Sequence, residues 1–221
     1  MKRILILIIL VGIIATKGAA EVIIAGVAPP KKLAFRLGGE SLSDLKVAVN
    51  GTFFSIRHRT LANWVVRDGK VLYPFPWWDS LERGCLIIFK DNTVYMGLVR
   101  SNGKKVFIGK KEIKTNEIRL AIGGGSYFLR RGTLATYQQL RKEGISPYII
   151  EHRHFSFIAW NEKKNLIAIG ISRGSSLWET GKQLLRLGYT DAIRLDGGSS
   201  TGIWEPGRKF PNTTNIVGIK S

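Results

Sequence analysis

The chain has 221 residues, 44% hydrophobic and 23% charged, with a formal net charge of +18 from 34 Lys and Arg against 16 Asp and Glu. That length and balance fit one folded domain with a sizeable core and exclude a disordered chain. A single cysteine, Cys85, excludes an internal disulfide; its neighbours Leu86, Ile87 and Ile88 mark it as a buried hydrophobe rather than a nucleophile.

Met1-Lys2-Arg3 is a basic head, residues 4–15 are an unbroken apolar run, and Gly18-Ala19-Ala20 supplies small residues for cleavage. The run is too short to span a bilayer comfortably. Residues 1–20 are therefore expected to be a signal peptide that exports the protein to a periplasmic or extracellular space. The alternative is an uncleaved membrane anchor, because residues 22–28 are also apolar, although Lys17 and Glu21 interrupt the run. No cysteine follows the segment, which excludes a lipoprotein anchor. For an exported chain, the positive field selects anionic glycans, lipid head groups or sugar phosphates as partners. The basic residues are scattered and carry no nucleic-acid-binding signature, so nucleic acid is not expected. A lysine-rich solvated surface also accounts for the charge.

Residues 21–44 read as an N-terminal connector, with Pro29-Pro30 and Gly38-Gly39 as linker signals, and 45–221 as the domain. Residues 45–49 alternate like a strand and run into Asn50-Gly51, a sharp-turn signal, with Phe53 and Phe54 expected to bury. Residues 64–67 and 70–73 flank Asp68-Gly69 as a hairpin. Pro74-Phe75-Pro76-Trp77-Trp78 is either a surface lid or an aromatic wall for a sugar, since prolines bar a central strand. Residues 85–90 and 93–99 form a second hairpin around Asp91-Asn92, and strands follow at 105–109 and 117–122. Gly123-Gly124-Gly125 implies close backbone approach or a bulge before a strand at 127–129. Residues 134–143 read as a helix stopped by Gly144.

A strand is expected at 153–160, returning through a turn at 161–165 to another at 166–171. Ser176-Leu177-Trp178-Glu179 is a capping box opening a helix with Leu177, Gly181, Leu184 and Leu185 on one face, ended by Gly188. The last strand covers 215–220. Many strands joined by hairpins, with two main helices, give an α+β fold with a largely antiparallel or mixed sheet core.

The stretch that stands out is Asp191-Ala192-Ile193-Arg194-Leu195-Asp196-Gly197-Gly198-Ser199-Ser200-Thr201. A β-branched run should end at Leu195, leaving Asp196 at the tip of a buried strand. Gly197 and Gly198 can take positive φ and expose their N–H groups, and Ser199, Ser200 and Thr201 add hydroxyls. The loop thus offers a fixed carboxylate beside an anion cradle. A plain turn of small residues has the same composition.

Taken in order, several segments resemble the phosphodiester glycosidase family. Asn50-Gly51-Thr52-Phe53-Phe54 is similar to its Asn-Gly-x-Phe-Phe motif. Ala121-Ile122-Gly123-Gly124-Gly125 with Leu129 and Gly132 is similar to its central glycine segment. Arg153 heads a strand as the family's arginine does. The capped helix, Leu187-Gly188, Asp191-Ala192 and residues 195–201 are similar to its C-terminal signature. The likeness runs over about 45–220. Two glycines follow the aspartate here, where many members have three, and His154-Phe155-Ser156-Phe157 replaces the usual threonine and small residues.

The resemblance implies a hydrolase that cleaves a sugar-1-phosphodiester, with Asp196 catalytic and Glu151 as a second carboxyl, on the same strand face as Arg153 two residues on. An arginine fork suits a phosphodiester, which points to Arg153 and then Arg173. Asn50, Gly124, Gly197, Gly198, Ser199 and Ser200 complete the expected binding set, and His154 could shuttle a proton near neutral pH. Glu179 is read as the capping-box acid alone. No cofactor signature appears; a hard cation such as calcium or magnesium could sit on Asp196, Asn50 and carbonyls, while no His or Cys cluster argues for zinc. Two other readings compete: a non-catalytic basic module that binds anionic envelope polymers, and a serine hydrolase using Ser199, His154 and Asp196. The last lacks a Gly-x-Ser-x-Gly elbow.

Overall fold

A computed structural model describes residues 21–55, 60–73, 81–101, 105–151, 153–208 and 213–221. The expected signal peptide and Pro74–Trp78 stretch lie outside them. Every strand pairing among the described residues is antiparallel.

Three sheets enclose a central core. The six-stranded sheet runs Glu21–Ala28, Leu166–Arg173, His154–Asn161, Asp191–Gly197, Ser126–Arg130 and Thr133–Leu134. The seven-stranded sheet runs Lys111–Ile113, Val106–Ile108, Val94–Ser101, Arg83–Phe89, Ile118–Gly123, Val65–Arg67 and Lys70–Tyr73. A four-stranded sheet of Ile203–Trp204, Leu45–Asn50, Asn215–Lys220 and Leu33–Leu37 completes the enclosure, and Phe54–Ser55 pairs with Thr60–Leu61. Leu33, Val49, Leu86, Ile122, Ile169, Ile193 and Leu195 all point into the core. The other face of the six-stranded sheet is covered by helices, which pack Leu140, Ile150, Leu177 and Leu184 onto Phe128, Phe155, Phe157 and Ala192. The Asp191–Gly197 strand is thus buried on both faces, which is why it reads as a continuous apolar run rather than an alternating one.

Both hairpins expected at Asp68-Gly69 and Asp91-Asn92 form, with Asp68, Gly69 and Asn92 at positive φ as tight reversals need. Four expectations need correction. The connector is no linker: Glu21–Ala28 pairs with Leu166–Arg173 and Leu33–Leu37 with Asn215–Lys220, so its Pro and Gly pairs only bound strands. Asn50-Gly51 is no hairpin turn; Gly51 N–H donates to Asn215 O at 3.0 Å and its carbonyl accepts from Asp196 N–H at 3.0 Å. Lys111–Ile113 is a strand that too few apolar residues announced.

The fourth concerns the helices. Helix α1 covers only Tyr137–Lys142, because Thr136 caps it with Gln139 in a capping box and Thr133–Leu134 is a strand. Pro147 opens a second short helix, α2 (Pro147–Glu151), which the sequence pattern did not announce, since proline fits a first helical turn. Among the described residues only α3 (Leu177–Arg186) is long, and it carries the expected Ser176–Glu179 capping box. The described residues are therefore mostly β with one helix of ten residues and two of six or fewer, not two main helices.

Candidate functional site

Asp196 occupies a fault in the sheet. Phe157 pairs with Arg194 and Phe155 with Gly197, so Leu195 and Asp196 both stand opposite Ser156. Such a bulge re-aims a side chain and ends regular pairing. The strand continues to Gly197, beyond the expected end at Leu195, before a single 3-10 turn, Gly198–Ser200. Gly198 takes φ +71°, as expected; Gly197 does not, with φ −146°. Gly197 is required for another reason: an added Cβ would run into the His154 carbonyl.

The Asp196 carboxyl is held above the usual carboxylate range by burial, opposed by the Gly197 N–H, the Ser200 hydroxyl and the Arg194 charge. It is half-buried rather than sealed. Its backbone is fixed from below. Asn50 is fully buried; its Nδ2 donates to Asp196 O at 3.0 Å, and its Oδ1 accepts from Gly202 N–H at 3.3 Å. Ser156 Oγ lies 2.9 Å from Asn50 O and 3.1 Å from Asp196 O. Thr52 Oγ1 donates to Gly123 O and accepts from Asn63 Nδ2 at 3.1 Å, and Asn215 Nδ2 donates to Thr52 O at 3.0 Å. The polar residues of the Asn-Gly-x-Phe-Phe segment thus tie three sheets together beneath the loop.

Arg194, which sequence reasoning missed, lies on this strand two residues before Asp196. It is buried, its guanidinium donates through Nη1 to Ile149 O in α2, and its Cζ sits 4.8 Å from the Phe155 ring centroid. Burial pushes it down to about 10, against the pull of Asp196, so it is charged at neutral pH. A cation interrupting a β-branched run was the available signal. Ser156, Thr52, Asn63 and Asn215 are further polar residues that it missed.

The expected set divides. Asn50, Gly197, Gly198 and Ser200 gather at Asp196, while Ser199 is exposed on the same turn. Gly124 serves packing: its N–H is taken by Gly84 O at 2.7 Å, and an added Cβ would lie 2.6 Å from Arg194 O. Arg153, His154 and Arg173 are exposed at one end of the sheet, with His154 and Arg173 directly cross-strand. Arg153 Nη1 reaches Gly174 O at 3.4 Å. Glu151 is exposed at the end of α2 and Arg153 lies just before the strand, which starts at His154, so the two share no strand face. Glu179 does cap α3. Cys85 is buried and its thiol is pushed up to about 12 by that burial.

A cavity of about 390 Å³ lies against Gly125 and Ile149, two residues whose backbone bonds Arg194. Phe53, Phe54, Asn63, Arg83, Gly125 and Ile149 line part of it; Gly125 N–H bonds Arg194 O at 2.8 Å. Phe53 and Phe54 are half-buried walls of this space rather than core residues as expected. That volume is in the range of small-ligand pockets. Among the described residues no group of three or more His, Cys, Asp or Glu could hold a metal ion.

The family model for phosphodiester glycosidase matches residues 43–217. The chain belongs to the phosphodiester glycosidase family. No curated protein matches it. Among solved structures, the catalytic domain of zebrafish N-acetylglucosamine-1-phosphodiester alpha-N-acetylglucosaminidase, auto-inhibited by its pro-peptide, superposes with TM-score 0.69 at 15% identity, over 92% of this chain and 83% of that one. A Synechocystis protein superposes at 0.56 and 14% identity, over 90% of this chain and 58% of that one. A Burkholderia pseudomallei protein superposes at 0.64 and 9% identity, over 88% and 73%. At these identities the structural likeness speaks for the glycosidase fold alone, and the family assignment rests on the match over 43–217.

Proposed function

We propose that this phosphodiester glycosidase hydrolyses a sugar-1-phosphodiester in an envelope or extracellular glycan, with Asp196 as the base. The observation that carries this reading is a half-buried carboxyl raised by burial, held by the Gly197 N–H and the Ser200 hydroxyl at the tip of the family's C-terminal motif. A carboxylate with raised affinity for protons is suited to accept one from water near neutral pH. Water attacks the anomeric carbon, its proton passes to Asp196, and the bond from that carbon to the phosphate oxygen breaks. The electron pair leaves with the phosphate monoester, whose oxygen needs little protonation. Arg153 and Arg173 supply positive charge for the phosphodiester, His154 and Ser199 supply further polar contacts, and Glu151 is the second carboxyl. The cavity behind Phe53 and Phe54 holds the sugar. The basic head and apolar run of residues 1–20 direct export.

The test is mass spectrometry of products from a panel of sugar-1-phosphodiesters, the methyl diester of N-acetylglucosamine-1-phosphate included. Wild type should release the free sugar and a phosphate monoester, and Asp196→Asn should lose turnover. Equal turnover by both removes Asp196 from the chemistry. A second reading is favoured by the net charge of +18: a basic module that holds an anionic polymer without cleaving it. It expects salt-sensitive retention on polyanions that Asp196→Asn leaves unchanged, with no product from any diester.

A further inference from the structure

We infer that Arg194 is a positioning residue for Asp196, joining the carboxylate to the α2 wall of the cavity and setting the pH at which it ionises. The inference rests on the reading of Asp196 as the base. Arg194 and Asp196 are two residues apart across the bulge, and Arg194 is one of the largest fully buried side chains in the protein. A buried guanidinium is costly unless it is held and paired. It is held from three sides. Ile149 O of α2 accepts from its Nη1, the Phe155 ring lies under its Cζ at 4.8 Å, and its Nη2 is close enough to Gly197 that an added Cβ there would sit 2.9 Å away. The same residue therefore touches the cavity wall through Ile149 and the reactive loop through Gly197.

Its charge is the one basic group of the strand that acts on the Asp196 carboxyl, and it opposes the effect of burial. The other groups facing this pair are few. Tyr148 of α2 acts on Arg194 electrostatically. The adjoining strand brings Ser156 to the Asp196 carbonyl and carries His154 at its head, with Arg153 just before it, both exposed. The loop brings Ser200. A buried cation close to a half-buried carboxyl keeps the carboxylate ionised over part of the pH range where burial alone would protonate it. Moving α2 would move Arg194, and with it the loop.

The test is a titration of the Asp196 carboxyl by NMR of protein labelled with ¹³C-aspartate, the resonance assigned by its loss in Asp196→Asn. In Arg194→Gln the midpoint should rise by about 1 unit or more, the size expected on losing an opposite charge nearby; an unchanged midpoint overturns the inference. The acidic limb of kcat/KM should move with it. Arg194→Lys keeps the charge and loses the planar fork, so its midpoint should stay at the wild-type value while kcat falls about tenfold at unchanged KM, as misplacement does. Wild-type kcat in Arg194→Lys overturns the positioning role, and this arm decides alone if Arg194→Gln fails to give a cooperative melt. A raised NMR midpoint in a protein that turns over no diester would sink the proposed hydrolysis and leave the Arg194–Asp196 coupling standing.

Discussion

The Asp191–Gly197 strand carries a carboxylate near each end, and the two are in opposite circumstances. Asp191 is 2% exposed and its oxygens are used up. It accepts from the Tyr127 hydroxyl, from Arg131 N–H at 3.0 Å and from Thr190 Oγ1 at 2.8 Å. Asp196 is half-buried, accepts from Gly197 and Ser200, and stands where the ladder slips against Ser156. On the proposed reading, the same side chain is a latch at one end of the strand and the base at the other. What separates them is how many donors already claim the oxygens and whether an irregularity turns the group outward.

The largest effect follows directly. Asp196→Asn should reduce kcat by about 10²-fold or more, the usual worth of a positioned base, with a melting temperature close to wild type. Asp191→Asn should do the reverse: it leaves donors around a buried site mispaired, costs about 1–3 kcal/mol in chemical denaturation, and leaves turnover of the folded protein intact. The contrast between the ends collapses if Asp191→Asn abolishes turnover at an unchanged melting temperature.

Asn50→Ala comes next. Asn50 is buried and serves both Asp196 O and Gly202 N–H, so the alanine orphans the buried Gly202 N–H and leaves Asp196 O with Ser156 Oγ alone. The expected loss is about 1–3 kcal/mol of stability together with lower kcat, since the loop beneath Asp196 relaxes. Urea titration and steady-state kinetics on the same sample check both. Wild-type kcat in a destabilised Asn50→Ala would reduce Asn50 to a latch of the Asp191 kind.

Much of this was legible in the residues. The capping box of α3, the two hairpins at Asp68-Gly69 and Asp91-Asn92, and the doubly buried strand carrying Asp196 follow from short-range rules. Those rules depend on neighbours in sequence, and so does the gathering of Gly198 and Ser200 at Asp196. The misses share another cause. Whether Asn50 faces a turn or props a loop 146 residues away depends on which strands become neighbours. Arg194 drew no assignment because its partners, Ile149 O and the Phe155 ring, come from elsewhere in the chain. Val22 to Ala28 looked like part of a connector because its pairing partner begins at Leu166. Long-range pairing decides each of these, and local pattern is silent about it.

Glu143, at the C-cap of α1, is a third carboxyl on this comparison, buried among partners that do not offset its burial. It accepts from Tyr127 N–H at 3.1 Å and pairs with Arg130, with Arg83 nearby. Burial still pushes it up to about 7 from an ordinary 4.5, against Arg130 and the N–H groups of Tyr127 and Gly84. A raised carboxyl binds protons more tightly in the folded state than in the unfolded one. Between about pH 4.5 and 7 the folded protein therefore holds more protons, and stability falls as pH rises through that window. Melting temperature against pH should show this slope in wild type and a flatter one in Glu143→Gln. Parallel slopes would mean that Glu143 takes up no extra proton on folding.

The smallest effect belongs to a carboxylate at the far edge of the other sheet. Glu112 accepts from Lys105 Nζ at 2.7 Å across the Val106–Ile113 hairpin, with the two side chains 43% and 55% exposed. Its geometry is as close as that of Thr190 with Asp191, yet water competes for both groups and screens their attraction. Glu112→Gln should change stability by less than about 0.5 kcal/mol. The sign should be destabilising, because an acid is removed from a chain carrying +18 and self-repulsion rises. In about 1 M salt, where the screening length is near 3 Å, the difference should vanish. A loss as large as that of Asp191→Asn, persisting in salt, would mean that short distances rather than burial and donor count rank the carboxylates of this protein, and the distinction between the two ends of the Asp191–Gly197 strand would lose its physical basis.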